Sequence, residues 1–440
     1  MPPRRPHCGY LNLAGIVLAL VTAGAIATFT PLNAHPDELI HVDAFKYFEH
    51  HFWPPDVNAD GIYYSPYGWS RVYTGELVYV LYGTLGRALK TVLPPLPSYQ
   101  LYRLLQFALL AFTLAYLATR RTPHWDTKLG LAFTLGFPQF VYLFSYANSD
   151  AFGLAVSFVL FFETLRATDQ PLADWTWQRT LALGCLFGLP FVCKSNFLAA
   201  LILPAAFLVQ NITRSIRTAP RARLLALAGL FLAGVLAVAA PLKIVYPLTQ
   251  GDMTAKVARM REERAKPNFK PSNPQYFGLN LAQKGKTYRD LIVDMQFFQT
   301  LSASFWGAYG FMNIFNPPRV YYLAYGLLGL ACLLTAARYL RGFSALDPPL
   351  RLGLPLGITV ILGLTAGVLY LSLHVDYQAQ GRYLYGAFVP VLLTLSGTFR
   401  PGDGGPARTA AFGLACLLWL MSLYSLWFVL MYQHYLKAAA

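Results

Sequence analysis

Long runs of apolar residues, broken by short polar segments, extend along most of the chain. A helix needs about 20 such residues to cross the hydrocarbon core of a bilayer. The runs therefore predict an all-α integral membrane protein with about eleven transmembrane helices. We place these helices near residues 11–32, 101–119, 129–146, 150–167, 180–196, 197–212, 224–247, 319–338, 352–373, 384–399 and 409–431.

One apolar run, residues 76–95, does not fit as a complete crossing, because counting it would reverse the sidedness of every later basic cluster. We predict that it lies in the membrane interface, re-enters the membrane or spans it only in part. It belongs to a first outer loop, residues 33–100, that is rich in aromatic side chains and proline. A second long outer loop, residues 248–318, is predicted to carry a charged surface helix. With no internal repeat, residues 1–440 are predicted to form a single transmembrane domain.

Composition agrees with this pattern, since 56% of the residues are hydrophobic and only 12% are charged. A net charge of +15 would suit a nucleic-acid partner, but the cations lie mainly in short clusters between apolar runs. Such clusters mark the cytoplasmic side of a membrane protein. We therefore expect a cytoplasmic N-terminus, the lipid bilayer as the main partner, and no nucleic-acid partner.

Two adjacent carboxylates, Asp37 and Glu38, follow the first apolar run. Pro36 can start a helix, which would put both acids in its first turn, where the helix dipole favours them. Successive residues on a helix point about 100° apart, so only one of the two carboxylates can face a common site. We favour Asp37, which would share a helix face with His41 four residues later.

Further polar residues interrupt the later apolar runs at positions that the same topology assigns to the outer side. These residues are Asn148, Asp150, Lys194, His374, Gln380, Arg382 and Tyr383. Ionisable groups at membrane depth are costly and are usually paired or functional. Carboxylates and cations at one membrane face suit a reaction in which a base activates a hydroxyl and cations hold an anionic leaving group. Transfer of a sugar from a polyprenyl phosphate is such a reaction.

Five segments carry a resemblance to a known superfamily. They are NAHPDELIH (33–41), FPQFVYLFSYANSDAFG (137–153), PFVCKSNF (190–197), SFWGAYGF (304–311) and QGRYLYGAFVP (380–390). Together they resemble the GT-C polytopic glycosyltransferases, in particular bacterial membrane proteins akin to protein O-mannosyltransferases and lipid A aminoarabinose transferases. The chain differs from the larger members because it has no sizeable soluble C-terminal domain.

The resemblance implies a GT-C fold in a bacterial inner or plasma membrane, with the active site at the periplasmic face. It implies an inverting glycosyltransferase that uses a polyprenyl-phosphate sugar and a lipid-linked, glycan or protein acceptor. Asp37, with Glu38 as its competitor, matches the catalytic acidic position of the first loop. Asp150 matches a second acidic position, and Lys194 and Arg382 match cations that would hold the phosphate.

Simpler structural explanations exist for these residues. The carboxylates and Asn148 are residue types that cap helices, Lys194 can extend to the interface, and His374 suits a solvated corner. Arg382 argues more for function, because a cation at the start of a helix opposes the helix dipole.

Two alternative functions stay open: an O-antigen ligase or polymerase that uses diphosphate-linked glycans, and a lipid-linked glycan transporter or flippase. Histidines near the first loop lack the spacing of a known metal motif, so we predict no metal ligands and no firm cofactor, with a divalent cation as the minor alternative.

Overall fold

The computed structural model describes residues 7–216, 219–273, 280–400 and 405–436, and these residues are mainly helical. The α-helices are α1 His7–Phe29, α2 Glu38–Phe48, α3 Leu77–Val92, α4 Ser98–Thr119, α5 Thr127–Leu135, α6 Pro138–Leu143, α7 Asp150–Thr168, α8 Trp177–Gly188, α9 Ile202–Ser215, α10 Arg221–Ala240, α11 Tyr246–Gln250, α12 Met253–Arg264, α13 Phe297–Gly307, α14 Pro318–Gly342, α15 Pro348–His374, α16 Phe388–Ser396 and α17 Pro406–Tyr424.

Tighter or wider helical turns extend several of these helices or connect them. The 3₁₀ segments are Leu172–Asp174, Leu189–Val192, Ser195–Leu201, Pro267–Phe269, Phe343–Ala345 and Gly381–Ala387, and the π segments are Pro241–Val245, Asp290–Asp294 and Ser425–Leu436. Within the described ranges, two short strands, β1 Ala308–Tyr309 and β2 Ile314–Phe315, pair antiparallel.

Eight helices of the described chain are long and apolar enough to cross a membrane. They are Tyr10–Phe29, Ser98–Thr119, Asp150–Thr168, Ser195–Ser215, Arg221–Gln250, Pro318–Ala345, Pro348–His374 and Pro406–His434. The predicted class, a helical membrane protein, is therefore confirmed. The predicted spans 129–146, 180–196 and 384–399 coincide with shorter, interrupted helices instead, so the count of eleven stays a prediction.

Charged side chains at several helix ends contact one another at one end of the helical bundle. His124, which follows α4, contacts Asp169 after α7 at 2.6 Å and Asp347 before α15 at 3.3 Å. Arg408 in α17 donates to Asp126 before α5 at 2.6 Å. These contacts bring the ends of five helices together, and we call this the basic end. The sidedness of the basic clusters stays a prediction.

The first outer loop folds into two helices that cross closely. In α3, Gly83 lies against the backbone of Phe48 in α2, where a Cβ atom would come within 2.4 Å. Buried Glu49 accepts hydrogen bonds from Lys90 and Tyr102, which fastens both helices to α4. Helix α3 has 16 residues and is not among the eight long apolar helices, and its interfacial position stays a prediction.

The second long loop folds back over the first one. Its charged helix α12, which was predicted, places Lys256 Nζ 2.9 Å from Asp56 Oδ2. The Lys266 amide donates to the carbonyl of Pro66 at 3.0 Å. Gly68 has a φ of +72° and lies so close to the backbone of Arg261 that no Cβ atom would fit. The two loops therefore form one layer over the end of the bundle opposite the basic end.

The main core lies among α5, α6, α7, α16 and α17 and is rich in phenylalanine. Phe140, Phe158 and Phe388 are fully buried and contact one another through their rings, with centroids 5.9–6.2 Å apart. Such aromatic packing buries large areas and adds about 0.5–1.5 kcal/mol per pair. Because these helices carry or flank Asp150 and Arg382, the core fixes the backbone on which those residues lie.

Candidate active site

Four predicted residues meet where helices end, at the end of the bundle under the two loops. Asp37 follows α1, Asp150 begins α7, Lys194 precedes the turn Ser195–Leu201, and Arg382 lies in the turn Gly381–Ala387. Residues separated by as many as 345 positions are in direct contact here. These predicted residues therefore lie together in the structure, and their position at the outer membrane face stays a prediction.

Asp37 lies at the centre of this cluster. Arg382 Nη2 donates to Asp37 Oδ2 at 3.0 Å, and Arg71 Nη2 lies 3.8 Å from the same oxygen. The Asp37 side chain keeps 31% of its surface exposed, whereas the two guanidinium groups are almost buried. Burial alone would raise the pKa of Asp37, but Arg382 and Arg71 outweigh it and hold that pKa well below its usual value. Asp37 is thus an accessible, ionised carboxylate.

The local backbone differs from the prediction that Pro36 starts the helix. Helix α2 begins at Glu38, and Asp37 precedes it with a left-handed φ of 60°. Such a conformation is uncommon outside glycine, although aspartate tolerates it better than most residues. The left-handed turn lets Asp37 and Glu38 point toward different partners, as expected for neighbours of which only one can face the site.

Glu38 makes a buried ion pair with Arg103. Arg103 donates through Nε and Nη2 to the two Glu38 oxygens at 2.7 and 2.8 Å, and both side chains are fully buried. The same carboxylate accepts from the backbone amides of Asn33 and Ala147. Glu38 is therefore engaged in joining the first loop to α4 and to the corner before α7. Asp37 is therefore the member of the pair that keeps an accessible carboxylate.

Asp150 and Lys194 form a second pair. Lys194 Nζ donates to both Asp150 oxygens, at 2.9 and 3.1 Å, and Asp150 is fully buried. Lys194 keeps 12% exposure, and its Nζ lies 5.1 Å from the centre of the Tyr383 ring. Asn148 caps this helix: its Oδ1 accepts from the Ala151 amide at 2.9 Å. Asn148 thus makes the contact that its structural explanation predicts, and Lys194 is the partly accessible cation of this pair.

Arg382 connects the two pairs. Its Nε donates to Gln380 Oε1 at 2.7 Å, and its guanidinium carbon lies 5.7 Å from the Tyr383 ring. The carbonyl of Arg382 accepts from Asn196, two residues after Lys194, at 3.2 Å. A network of contacts therefore runs from Asp37 through Arg382 and Tyr383 to Lys194.

A glycine allows this segment its position. Gly381 packs on the backbone of Phe305, where a Cβ atom would approach the Phe305 nitrogen to 2.1 Å. Its amide donates to Ser304 Oγ at 2.7 Å. The QGRY segment and the SFWGAYGF segment, both part of the family resemblance, are therefore in direct contact.

The two predicted supporting histidines lie in different surroundings. His41 is buried beside the cluster, and its Nδ1 lies 2.9 Å from the Tyr79 hydroxyl. Burial and the nearby Arg71 lower the pKa of His41 well below its usual value, which keeps it neutral. His374 instead contacts Tyr288, with Nε2 3.2 Å from the hydroxyl, and its ring centre lies 4.5 Å from that of Tyr370. His41 therefore adjoins the cluster, whereas His374 contacts Tyr288 and Tyr370.

Two cations of the network were absent from the predicted set. Arg71 lies in the first loop, where abundant aromatic and charged residues gave no signal for any one of them. Arg103 lies inside the predicted span 101–119, and a lone arginine in an apolar run is itself a signal of pairing. The Arg71 guanidinium is held over the Trp69 ring at 4.5 Å. With Arg382 and Lys194, Arg71 gives the site three cations around two carboxylates.

No group of three or more metal-ligating side chains occurs within the described residues. Comparisons with protein-family models, with curated proteins and with solved structures found no match for this chain.

Proposed function

We propose that the protein is an inverting glycosyltransferase of the GT-C type. It moves a monosaccharide from a polyprenyl-phosphate donor to a hydroxyl of the acceptor at the periplasmic face of a bacterial inner or plasma membrane, with its N-terminus in the cytoplasm. The observation that carries the proposal is the cluster itself: an accessible ionised Asp37 contacts two arginines, beside the Lys194–Asp150 pair.

In the proposed reaction, the Asp37 carboxylate takes the proton of the acceptor hydroxyl as its oxygen attacks the anomeric carbon. The new carbon–oxygen bond forms on the face opposite the phosphate, and the bond between the anomeric carbon and the phosphate oxygen breaks. The bonding pair leaves with the polyprenyl phosphate. Arg382, Arg71 and Lys194 stabilise the charge that develops on this leaving group, and Asp150 holds Lys194 in place.

The proposal explains how a carboxylate with a lowered pKa serves as a base. Without a donor, Arg382 donates to Asp37 and keeps it ionised. A donor phosphate that takes the guanidinium of Arg382 removes part of the positive charge next to Asp37. Since an opposite charge nearby favours the ionised form, its loss raises the proton affinity of the carboxylate. Donor binding therefore prepares the base.

The proposal is tested by sugar transfer in the purified protein reconstituted in lipid. Asp37→Asn removes the base but keeps a polar side chain of the same size, so transfer should fall by at least about 100-fold, the usual contribution of general base catalysis. Glu163→Gln, a carboxylate that contacts Tyr116 and Arg120 near the basic end, is the matched control and should keep its activity. Full activity of the folded Asp37→Asn variant would overturn the assignment.

A ligase or polymerase that acts on diphosphate-linked glycans is the second candidate. The observation in its favour is the charged helix α12, which belongs to a late loop and contacts the first loop through Lys256. Supplying monophosphate-linked monosaccharides and diphosphate-linked glycans to the same preparation separates the two functions. The glycosyltransferase proposal requires turnover of the monophosphate donors.

A further inference from the structure

We propose that His35, as the neutral tautomer that carries its hydrogen on Nε2, is a positioning residue that fixes Asp37 in the active site. The inference rests on the proposed function and extends it from the charged cluster to the turn that carries its base. It assigns a role to a histidine that is fully buried in the segment after α1.

His35 begins the turn that sets the conformation of Asp37. The Glu38 amide donates to the His35 carbonyl at 3.4 Å, which closes a four-residue turn with Pro36 and Asp37 at its centre. The third residue of a type II turn has a positive φ and a ψ of about 0°, and proline is common at the second position. Asp37, with a φ of 60° and a ψ of 7°, has the conformation of that third residue. The placement of Asp37 therefore depends on where His35 is held.

The His35 ring is held on three sides. Its Nε2 lies 2.7 Å from Thr30 Oγ1, and its Nδ1 lies 2.9 Å from the Tyr142 hydroxyl. Its face stacks on Tyr146, with the ring centres 4.7 Å apart and the two planes inclined by 21°. These contacts tie the turn to the end of α1, to α6 and to the corner that precedes Asp150.

The hydrogen bonds around the ring determine its tautomer. Thr30 donates its single hydroxyl hydrogen to the carbonyl of Ile26 at 2.7 Å, so Thr30 Oγ1 accepts from His35 Nε2. The Gly310 amide donates to the Tyr142 oxygen at 3.1 Å, which leaves the Tyr142 hydrogen for His35 Nδ1. His35 is therefore neutral, with a hydrogen on Nε2 and a lone pair on Nδ1.

Protonation of His35 would break this arrangement. A protonated ring donates from both nitrogens, so the Tyr142 hydroxyl would lose its acceptor at Nδ1. Burial and the positive charge of Arg103 also oppose protonation, and they lower the pKa of His35 well below its usual value. The ring is therefore a fixed link between Thr30 and Tyr142 and is not a second base.

The backbone on both sides of His35 needs such a link. Asn33 and Asp37 both have left-handed conformations, with φ values of 65° and 60°. Residues in this region are held there by the surrounding structure, because the conformation is unfavourable by itself. Loss of the His35 link should let Asp37 relax away from Arg382. A misplacement of about 1 Å at a reacting group can reduce the rate about 100-fold.

Solid-state NMR of the full-length protein in lipid at neutral pH tests the tautomer without any substrate. The protein is labelled with a nitrogen isotope at histidine, and the His35 signals are identified by their loss in His35→Gln. They should show a protonated Nε2 and an unprotonated Nδ1. A hydrogen on Nδ1, or on both nitrogens, would overturn the inference.

The same method tests the position of Asp37 when the protein is labelled with a carbon isotope at aspartate. Tyr142→Phe keeps the ring and removes the hydroxyl that binds His35, so it should shift the Asp37 carboxyl signal in the same direction as Arg382→Gln does. Tyr116→Phe is the matched control, because it removes a tyrosine hydroxyl near the basic end, and should leave the signal unchanged. An Asp37 signal that does not move in Tyr142→Phe contradicts the positioning role.

Transfer kinetics test the consequence for catalysis. The donors are decaprenyl phosphates that carry mannose, glucose, galactose or arabinofuranose, and the acceptors are octyl glycosides of the same sugars. Tyr142→Phe and His35→Gln should each lower kcat about tenfold or more, with the KM for the donor unchanged. In the Asp37→Asn background, the same two changes should have no further effect, because they act through Asp37.

The outcomes separate this inference from the proposed function. The inference is overturned if the two variants leave kcat unchanged, or if they slow Asp37→Asn as much as they slow the unmodified protein. Full activity of Asp37→Asn, or no turnover of any of these donors, counts against the proposed function instead. The two NMR measurements need no turnover, so they decide the role of His35 in either case.

Discussion

The buried pair of Glu38 and Arg103 gives the sharpest prediction about stability. Glu38→Gln removes the negative charge that pairs with buried Arg103, which keeps neutral contacts with the carbonyls of Ala27, Thr30 and Pro31 and with the Tyr99 ring. Removing one member of a fully buried ion pair costs about 3–5 kcal/mol, because the remaining charge stays in a poorly solvated place. We expect Glu38→Gln to lower the free energy of unfolding by that amount.

The assay is detergent-induced unfolding of the purified protein, followed by circular dichroism. Asp56→Asn is the control, because the Asp56–Lys256 pair is exposed, with 47% and 27% of the side-chain surfaces accessible, and such pairs contribute at most about 1 kcal/mol. The double variant Glu38→Gln/Arg103→Gln should cost less than the sum of its single changes, since the two residues interact directly. A Glu38→Gln variant as stable as Asp56→Asn would refute this account of the pair.

Three further predictions follow from the site and the loop packing. The folded pKa of Asp37 lies below its unfolded value of 3.8, so the ionised carboxylate stabilises the folded protein. This contribution should be complete above about pH 5 and should decrease as the pH falls below about 4. Asp37→Asn should therefore weaken the pH dependence of stability in acid unfolding curves. Lys194→Met should destabilise the protein by leaving Asp150 buried and charged, and adding Asp150→Asn should restore part of the loss in the same unfolding assay. Gly83→Ala should lower the melting temperature because its Cβ has no room beside helix α2, whereas Gly329→Ala, in open space on α14, should be neutral or stabilising by about 0.5–1 kcal/mol.

The coarse architecture follows directly from the sequence, because apolar runs of membrane-crossing length leave few other choices. The eight long helices agree with predicted spans, and contacts such as Arg408–Asp126 join the predicted basic clusters. The same topology brought Asp37, Lys194 and Arg382 to one end, although no local signal links them.

The sequence does not reveal which charges pair. Glu38 pairs with Arg103, while Asp37 contacts Arg382. This choice of partners depends on the left-handed backbone at Asp37 and on the packing of α4. Arg71 was missed for the same reason, since only the folded first loop carries it to Asp37. Tertiary contacts decide these assignments, and hydrophobic periodicity does not encode them.

A structure of the protein with bound decaprenyl phosphate tests the central claim most directly. We predict that the phosphate lies within hydrogen-bond distance of Arg382 and Lys194, and that Arg382 no longer donates to Asp37. A lipid phosphate bound away from these cations, with the Asp37–Arg382 pair unchanged, would contradict the proposed active site.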